Sequence, residues 1–245
     1  MASPTEFDAR GSAPGHGSAD AELAERLALA QRRIAAAAER AGRSPHAVTL
    51  VAVTKGFDVD AVLAARALGQ ADFGESKAQE LRRKAREAGA GVRWHFVGRL
   101  QRNKVKDVVG TASLIHSVDR LELANAIAER ARKSGRVQRV LVQVNAGDDP
   151  AKGGCAVDEA LALVARVRAL DGTACEGLMG IPPLDADPRP VFATLRELRD
   201  DVRARFPEVQ HLSMGMSSDF EVAVEEGATI VRLGEALFGP RPSAA

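Results

Sequence analysis

The chain is 245 residues long, with 34 lysines and arginines against 33 acidic side chains and 45% apolar content. A net charge of +1 gives no reason to expect nucleic acid or an anionic membrane as a partner. Two cysteines, Cys155 and Cys175, are too few for a disulfide framework or a metal cluster and point to a reducing cytoplasm, while the absence of tyrosine removes any mechanism that needs a phenol.

Residues 1–18 are rich in Gly, Ser, Ala and Pro without any period, and are expected to form a disordered tail. They hold no apolar signal-peptide core, and no later stretch approaches the roughly 20 apolar residues of a membrane helix. From about residue 20 to 41, Leu23, Leu27, Ala30 and Ile34 recur at helical spacing, and Gly42 and Pro45 stop the helix. The run VTLVAVTKGF follows at 48–57. Five of the six residues at 48–53 are apolar, and then Lys55 appears. It reads either as a solvated start to a loop or as a placed nucleophile.

Strand-like segments then alternate with helices: 48–55, 71–75, 92–98, 113–118, 139–145, 174–181, 211–216 and 229–233. The clearest helices are 157–170, with Ala160, Leu163, Val164, Val167 and Leu170 inward, and 190–206, with Val191, Leu195, Leu198, Val202 and Phe206 on one face. Strands that are apolar throughout belong to a parallel sheet covered on both faces. An open doubly wound sheet is the rival, but eight units in this length suit a closed (β/α)8 TIM barrel of about 250 residues. The barrel domain is expected over 19–240, with a flexible C-terminus at 241–245. GEALFGPRPSAA after the eighth strand leaves no full closing helix, so the N-terminal helix is expected to fill that place.

In such barrels the site lies at the C-terminal ends of the strands, with phosphate commonly bound after strands seven and eight. After strand seven comes LSMGMSSDFE, where Gly215 permits close backbone approach and Ser217 and Ser218 open a helix, Ser218 and Glu221 having capping-box spacing. After strand eight, VRLGEALFG places Gly234 at the turn. Gly and Ser end strands widely, but two such turns flanking a lysine at the end of strand one favour the nucleophile. An amine there suits a Schiff base with a phosphorylated aldehyde, provided an apolar wall lowers its pKa.

The motifs VAVTKGF, FGESKAQE, WHFVGRLQRNK, IHSVD, GLMGIP and LSMGMSSDFEVAVEEGATIVRLGEALFG, in that order over most of residues 20–240, resemble the pyridoxal 5′-phosphate (PLP) homeostasis family, the YggS-like or PROSC proteins. The resemblance implies a single-domain barrel like the N-terminal half of alanine racemases, with an N-terminal helix packed on it. It implies PLP held as a Schiff base by Lys55, its phosphate bounded by Ser213, Met214, Gly215 and Ser217 with the backbone of Gly234 and Glu235, and Arg232 facing the pyridine nitrogen. A permanent guanidinium there disfavours the ring proton that carbanion chemistry needs. The implied role is to carry or buffer PLP without strong turnover, in contact with apo PLP enzymes only transiently, as a monomer.

Two departures stand out. Ser76 replaces the family's usual Asn, which shortens any contact to the cofactor, and Glu235 stands where Thr or Ser is common, so only its backbone N–H is expected to help. His95 is a candidate ring contact and His116 reads as structural. The resemblance also links Lys152 to a second PLP position. The alternatives are an amino acid racemase, whose barrel type uses a tyrosine absent here, and a lysine aldolase without PLP.

Overall fold

Period-two alternation along β1 (Thr49–Val53) decides the orientation of everything that follows it. Val51 and Val53 belong to a small cluster inside the barrel with Leu114, Leu141, Met179 and Ile230. Ala52 belongs instead to the large cluster between sheet and helices. Continuing the alternation puts Thr54 on the helix side and Lys55 on the interior side, at the mouth.

The computed structural model describes residues 16–240. Helix α1 (His16–Arg40) precedes β1, then α2 (Val59–Ala67), β2 (Asp72–Glu75), α3 (Ala78–Ala88), β3 (Arg93–Phe96), α4 (Val105–Val108) and β4 (Leu114–Val118). The second half runs α5 (Leu121–Lys133), β5 (Gln138–Gln143), α6 (Val157–Arg168), β6 (Thr173–Met179), α7 (Pro188–Arg205), β7 (His211–Ser213), α8 (Phe220–Glu225), β8 (Ile230–Leu233) and α9 (Glu235–Phe238). All eight strands are parallel and in sequence order, and β1 closes on β8 through Thr49↔Ile230 to Ala52↔Leu233. The expected (β/α)8 barrel is thus the observed one, with each strand at its expected place.

Among the described residues the last strand is followed only by the four-residue α9, too short to cover its outer face. Helix α1 packs on α8 and α9 and buries Leu23, Leu27, Ala30 and Ile34, completing the outer ring. Each large apolar side chain so buried contributes about 1.5–3 kcal/mol. The tail expected at 1–18 lies outside the described residues up to position 15, and residues 16–18 already belong to α1. The expected flexible end at 241–245 also lies outside them.

The capping box expected from Ser218 and Glu221 does not form. Asp219 is the N-cap of α8 and its Oδ1 accepts from the Met216 amide at 2.6 Å, while Glu221 turns outward to pair with Arg33 at 2.6 Å.

Helix α3 carries the least expected feature of the outer layer. Lys84 falls on its inward stripe with Leu81 and Ala88 and is fully buried. Its Nζ donates to Glu75 Oε1 at 2.5 Å and to the Thr54 carbonyl at 2.7 Å, and Thr54 Oγ1 donates to the same carboxylate oxygen at 2.6 Å. Burial pushes the Glu75 carboxyl up, opposed by Lys84 and Thr54. The triad fixes the peptide carbonyl just before Lys55. Breaking a buried pair strands the remaining charge, so Lys84→Ala is expected to cost about 3–5 kcal/mol in urea unfolding, and Lys84→Met with Glu75→Leu to recover part of it. A loss below about 1 kcal/mol for the single change would show that no charge is stranded at Glu75.

Candidate functional site

At the C-terminal mouth of the barrel lies a cavity of about 400 Å³, within the range of small-ligand sites. Its apolar walls are Val53, Phe57, Val97 and Ile181, with Leu184 and Met216 at the rim. Phe57 packs against Phe238 in a tilted arrangement, 5.3 Å between ring centres, joining the loop after β1 to α9. The polar lining is Lys55, Ser76, Ser217, Ser218, Arg232, Gly234 and Glu235. A cavity of about 450 Å³ at the opposite end is crossed by the ion pairs Arg139–Glu176 and Arg168–Glu208 and presents no amine.

Six of the ten residues expected at the site therefore meet around one space: Lys55, Ser76, Ser217, Arg232, Gly234 and Glu235. Lys55 is exposed at the rim rather than enclosed by the expected apolar wall. Ser217 Oγ accepts from the Ala236 amide at 3.1 Å, which ties the turn after β7 to the turn after β8. Gly234 is packed so closely on β1 that an added Cβ would lie 3.2 Å from the Val53 carbonyl oxygen. Gly98 plays the same part at Ser76, where a Cβ would sit 2.1 Å from the Ser76 carbonyl oxygen. Glu235 is exposed.

The other four lie elsewhere. Met214 points outward into the core between sheet and helices. Gly215, at φ +92°, is enclosed by Ala223 and Phe220 of α8. Ser213 and His95 are buried inside the barrel below the cavity. Lys152, in the loop after β5, does not line the cavity, and its carbonyl accepts from Gln143 Nε2 at 2.8 Å. Cys155 and Cys175 are buried, and burial pushes both thiols up to about 12, which makes them poor nucleophiles.

Arg232 forms the floor. The residue is 5% exposed, and its guanidinium donates to Ser213 Oγ at 2.7 Å and to the Gly180 carbonyl at 3.2 Å, not to a surface carboxylate. Burial lowers its pKa to about 10, opposed by the charge of Asp219, so it remains a cation at neutral pH. Ser213 Oγ is also 2.8 Å from His116 Nδ1, His116 Nε2 is 2.9 Å from His95 Nδ1, and His95 Nε2 is 3.1 Å from Asp72 Oδ1. At the far end Arg93 makes a two-pronged bond to the Asp72 carboxylate at 2.8 and 2.6 Å.

Period-two alternation could have found several residues that sequence reasoning missed. Val53 lies two before Lys55, Val97 two after His95, and Ile181 two after Met179, all on the interior face.

Burial pushes the Asp72 carboxyl up, but hydrogen bonds from His95 and Arg93 together outweigh it and hold it down at about 2. A carboxylate with a lowered folded pKa adds stability above its unfolded value near 4, and loses it as pH falls through the folded one. Between pH 4 and pH 2 the wild-type chain is therefore expected to lose about 2 kcal/mol that Asp72→Asn lacks from the outset. An Asp72→Asn chain whose unfolding free energy falls as steeply over that interval would contradict the assignment.

A family model described as the alanine racemase N-terminal domain matches residues 26–242. The chain is 43% identical over 222 residues to the pyridoxal phosphate homeostasis protein of Aquifex aeolicus strain VF5, covering 89% of this chain and 97% of that one. The solved structure of PipY from Synechococcus elongatus PCC7942 with PLP bound superposes with a TM-score of 0.78 at 34% identity, covering 89% of this chain and all of that one. An alanine racemase from Clostridium difficile 630 shares the fold, with a TM-score of 0.70 at 15% identity over 91% of this chain and 57% of its own.

Proposed function

The chain belongs to the pyridoxal phosphate homeostasis proteins, and on that premise we propose that it binds PLP at the mouth of its barrel and carries or buffers it. The observation that carries the reading is the meeting, around one cavity, of the Lys55 amine, the buried Arg232 guanidinium and the Ser217 and Gly234 turns. When bound, PLP supplies an aldehyde that condenses with a primary amine and a ring that can withdraw electrons.

The residues present fit that molecule. Lys55 offers an accessible primary amine, the group that would hold the cofactor as a Schiff base. Ser217, Ser218 and the backbone at Gly234 and Glu235 would hold the anionic end, where the chain packs closely on β1 at position 234. The Glu235 carboxylate, exposed, is free to turn away from that anion. Ser76 lines the opposite wall with a shorter side chain than Asn. Arg232, cationic on the floor, disfavours a second positive charge beside it, such as a protonated pyridine nitrogen. Ring-stabilised carbanion chemistry is thereby weakened, and the chain has no tyrosine to act as the second acid–base group of a racemase.

The reading takes the protein as a cytoplasmic monomer that meets apo PLP enzymes transiently. Two buried reduced thiols support a reducing compartment. Among the described residues no helix is long and apolar enough to cross a membrane.

Borohydride treatment of the PLP-loaded chain is expected to fix one cofactor per chain, and Lys55→Ala is expected to abolish that adduct. An undiminished yield in the variant would remove Lys55 from the site. Loaded wild-type protein incubated with amino acids is expected to show no sustained racemisation, and conversion at about 1 per second or faster would make it an enzyme instead.

A further inference from the structure

The interior of a (β/α)8 barrel is ordinarily filled by layers of branched apolar side chains. Here the lower interior holds a continuous line of polar ones, all buried, running from Asp72 on β2 through His95 on β3, His116 on β4 and Ser213 on β7 to Arg232 on β8. Every link is a hydrogen bond between side chains from different strands, and only the last member reaches the cavity.

We propose that Ser213, His116, His95 and Asp72 are positioning residues for Arg232, a one-way hydrogen-bond relay that holds its guanidinium on the cavity floor. The proposal rests on the reading that the cavity binds PLP, with Arg232 at the ring.

The polarity of the relay follows from its ends. Arginine can only donate, and an ionised carboxylate can only accept. With both imidazoles neutral, one arrangement places one proton in every link. His95 Nε2–H donates to Asp72 Oδ1, His116 Nε2–H donates to His95 Nδ1, and the Ser213 hydroxyl donates to His116 Nδ1 while accepting from Arg232. Each lone pair then faces the cation and each proton faces the carboxylate, so the link dipoles align with the field between two buried charges and reinforce one another. Two ions that would each be costly to bury alone are joined through neutral groups.

The groups whose charge reaches the two rings are Asp72 on β2, Arg232 on β8 and His211 on β7, with Arg93 behind Asp72 and Arg139 and Glu176 behind His211. Burial, with His95, Arg232 and His211 adding to it, holds the pKa of His116 well below the usual imidazole value, which agrees with the neutral form.

The test has one arm without PLP and one with it. In ligand-free protein carrying ¹⁵N-labelled histidine, Ser213→Ala is expected to move the imidazole nitrogen signals of both His116 and His95. A His95 signal that stays put while His116 moves would break the relay and overturn the proposal. In PLP-loaded protein, His116→Leu is expected to keep the Lys55 adduct but raise the dissociation constant about tenfold, equivalent to about 1.4 kcal/mol. It should also shift the pH midpoint of the bound absorption band, and His116→Gln, which can accept from Ser213 and donate to His95, should restore both toward wild type. Should His116→Leu fail to fold, Ser213→Ala supplies the same two readings. A folded variant with wild-type affinity and midpoint would overturn the relay, whereas a wild-type chain with no reducible adduct would overturn the PLP reading and leave the ligand-free arm to decide the relay.

Discussion

Closure of β1 onto β8 is the pairing from which the rest of the site follows. Four register pairs, Thr49↔Ile230 to Ala52↔Leu233, bring the first and last strands of the sheet side by side. Without that contact the amine at the end of β1 and the turn after β8 would be separated by nearly the whole chain. The pairing also sets the turn after β8 against β1, where a Cβ at position 234 would lie 3.2 Å from the Val53 carbonyl oxygen. Helix α1 protects the seam from outside by covering α8 and α9, which a four-residue terminal helix could not do.

The charged groups around this seam sort into two layers by strand alternation alone. Thr54, Glu75 and Lys84 lie on the helix side of the sheet and fix the backbone just before Lys55. Asp72, His95, His116, Ser213 and Arg232 lie on the interior side. Adjacent residues at one strand end, Thr54 and Lys55, or Glu75 and Ser76, thus serve different layers, one holding the scaffold and the other lining the cavity. Both layers confine a cation beside the mouth without exposing it, and the exposed Lys55 is left at the rim as the amine proposed to react.

Much of this was legible in the sequence because barrel order and strand period are local signals. The eight apolar runs, the lysine ending the first, the arginine in the last and the two glycine-bearing turns all follow from short-range patterns. What failed was either a matter of strict alternation or of long-range stagger. Met214 follows an inward Ser213 and must therefore face out, whereas Met216 reaches the rim. Lys84 looks solvated in AQELRRKAREA until its spacing from Leu81 and Ala88 is counted. The line from Asp72 to Arg232 is different in kind. Each member can be assigned to the interior, but which rings meet across the barrel depends on strand shear, and no short pattern in the sequence encodes it.

The buried cation bears on the choice between carrying and catalysing. An enzyme that needs the pyridine ring as an electron sink sets an acid beside it, so that the ring nitrogen holds a proton. This chain places at the cavity floor a guanidinium whose pKa burial lowers only to about 10, and it holds that guanidinium through neutral acceptors rather than through a carboxylate in direct contact. Asp72, at the far end of the line of side chains and paired there with Arg93, is separated from the cavity floor by two imidazoles and a serine. On the proposed reading, in which the ring lies at Arg232, an acid kept at that distance leaves the ring nitrogen unprotonated, an arrangement suited to holding the molecule intact and releasing it unchanged.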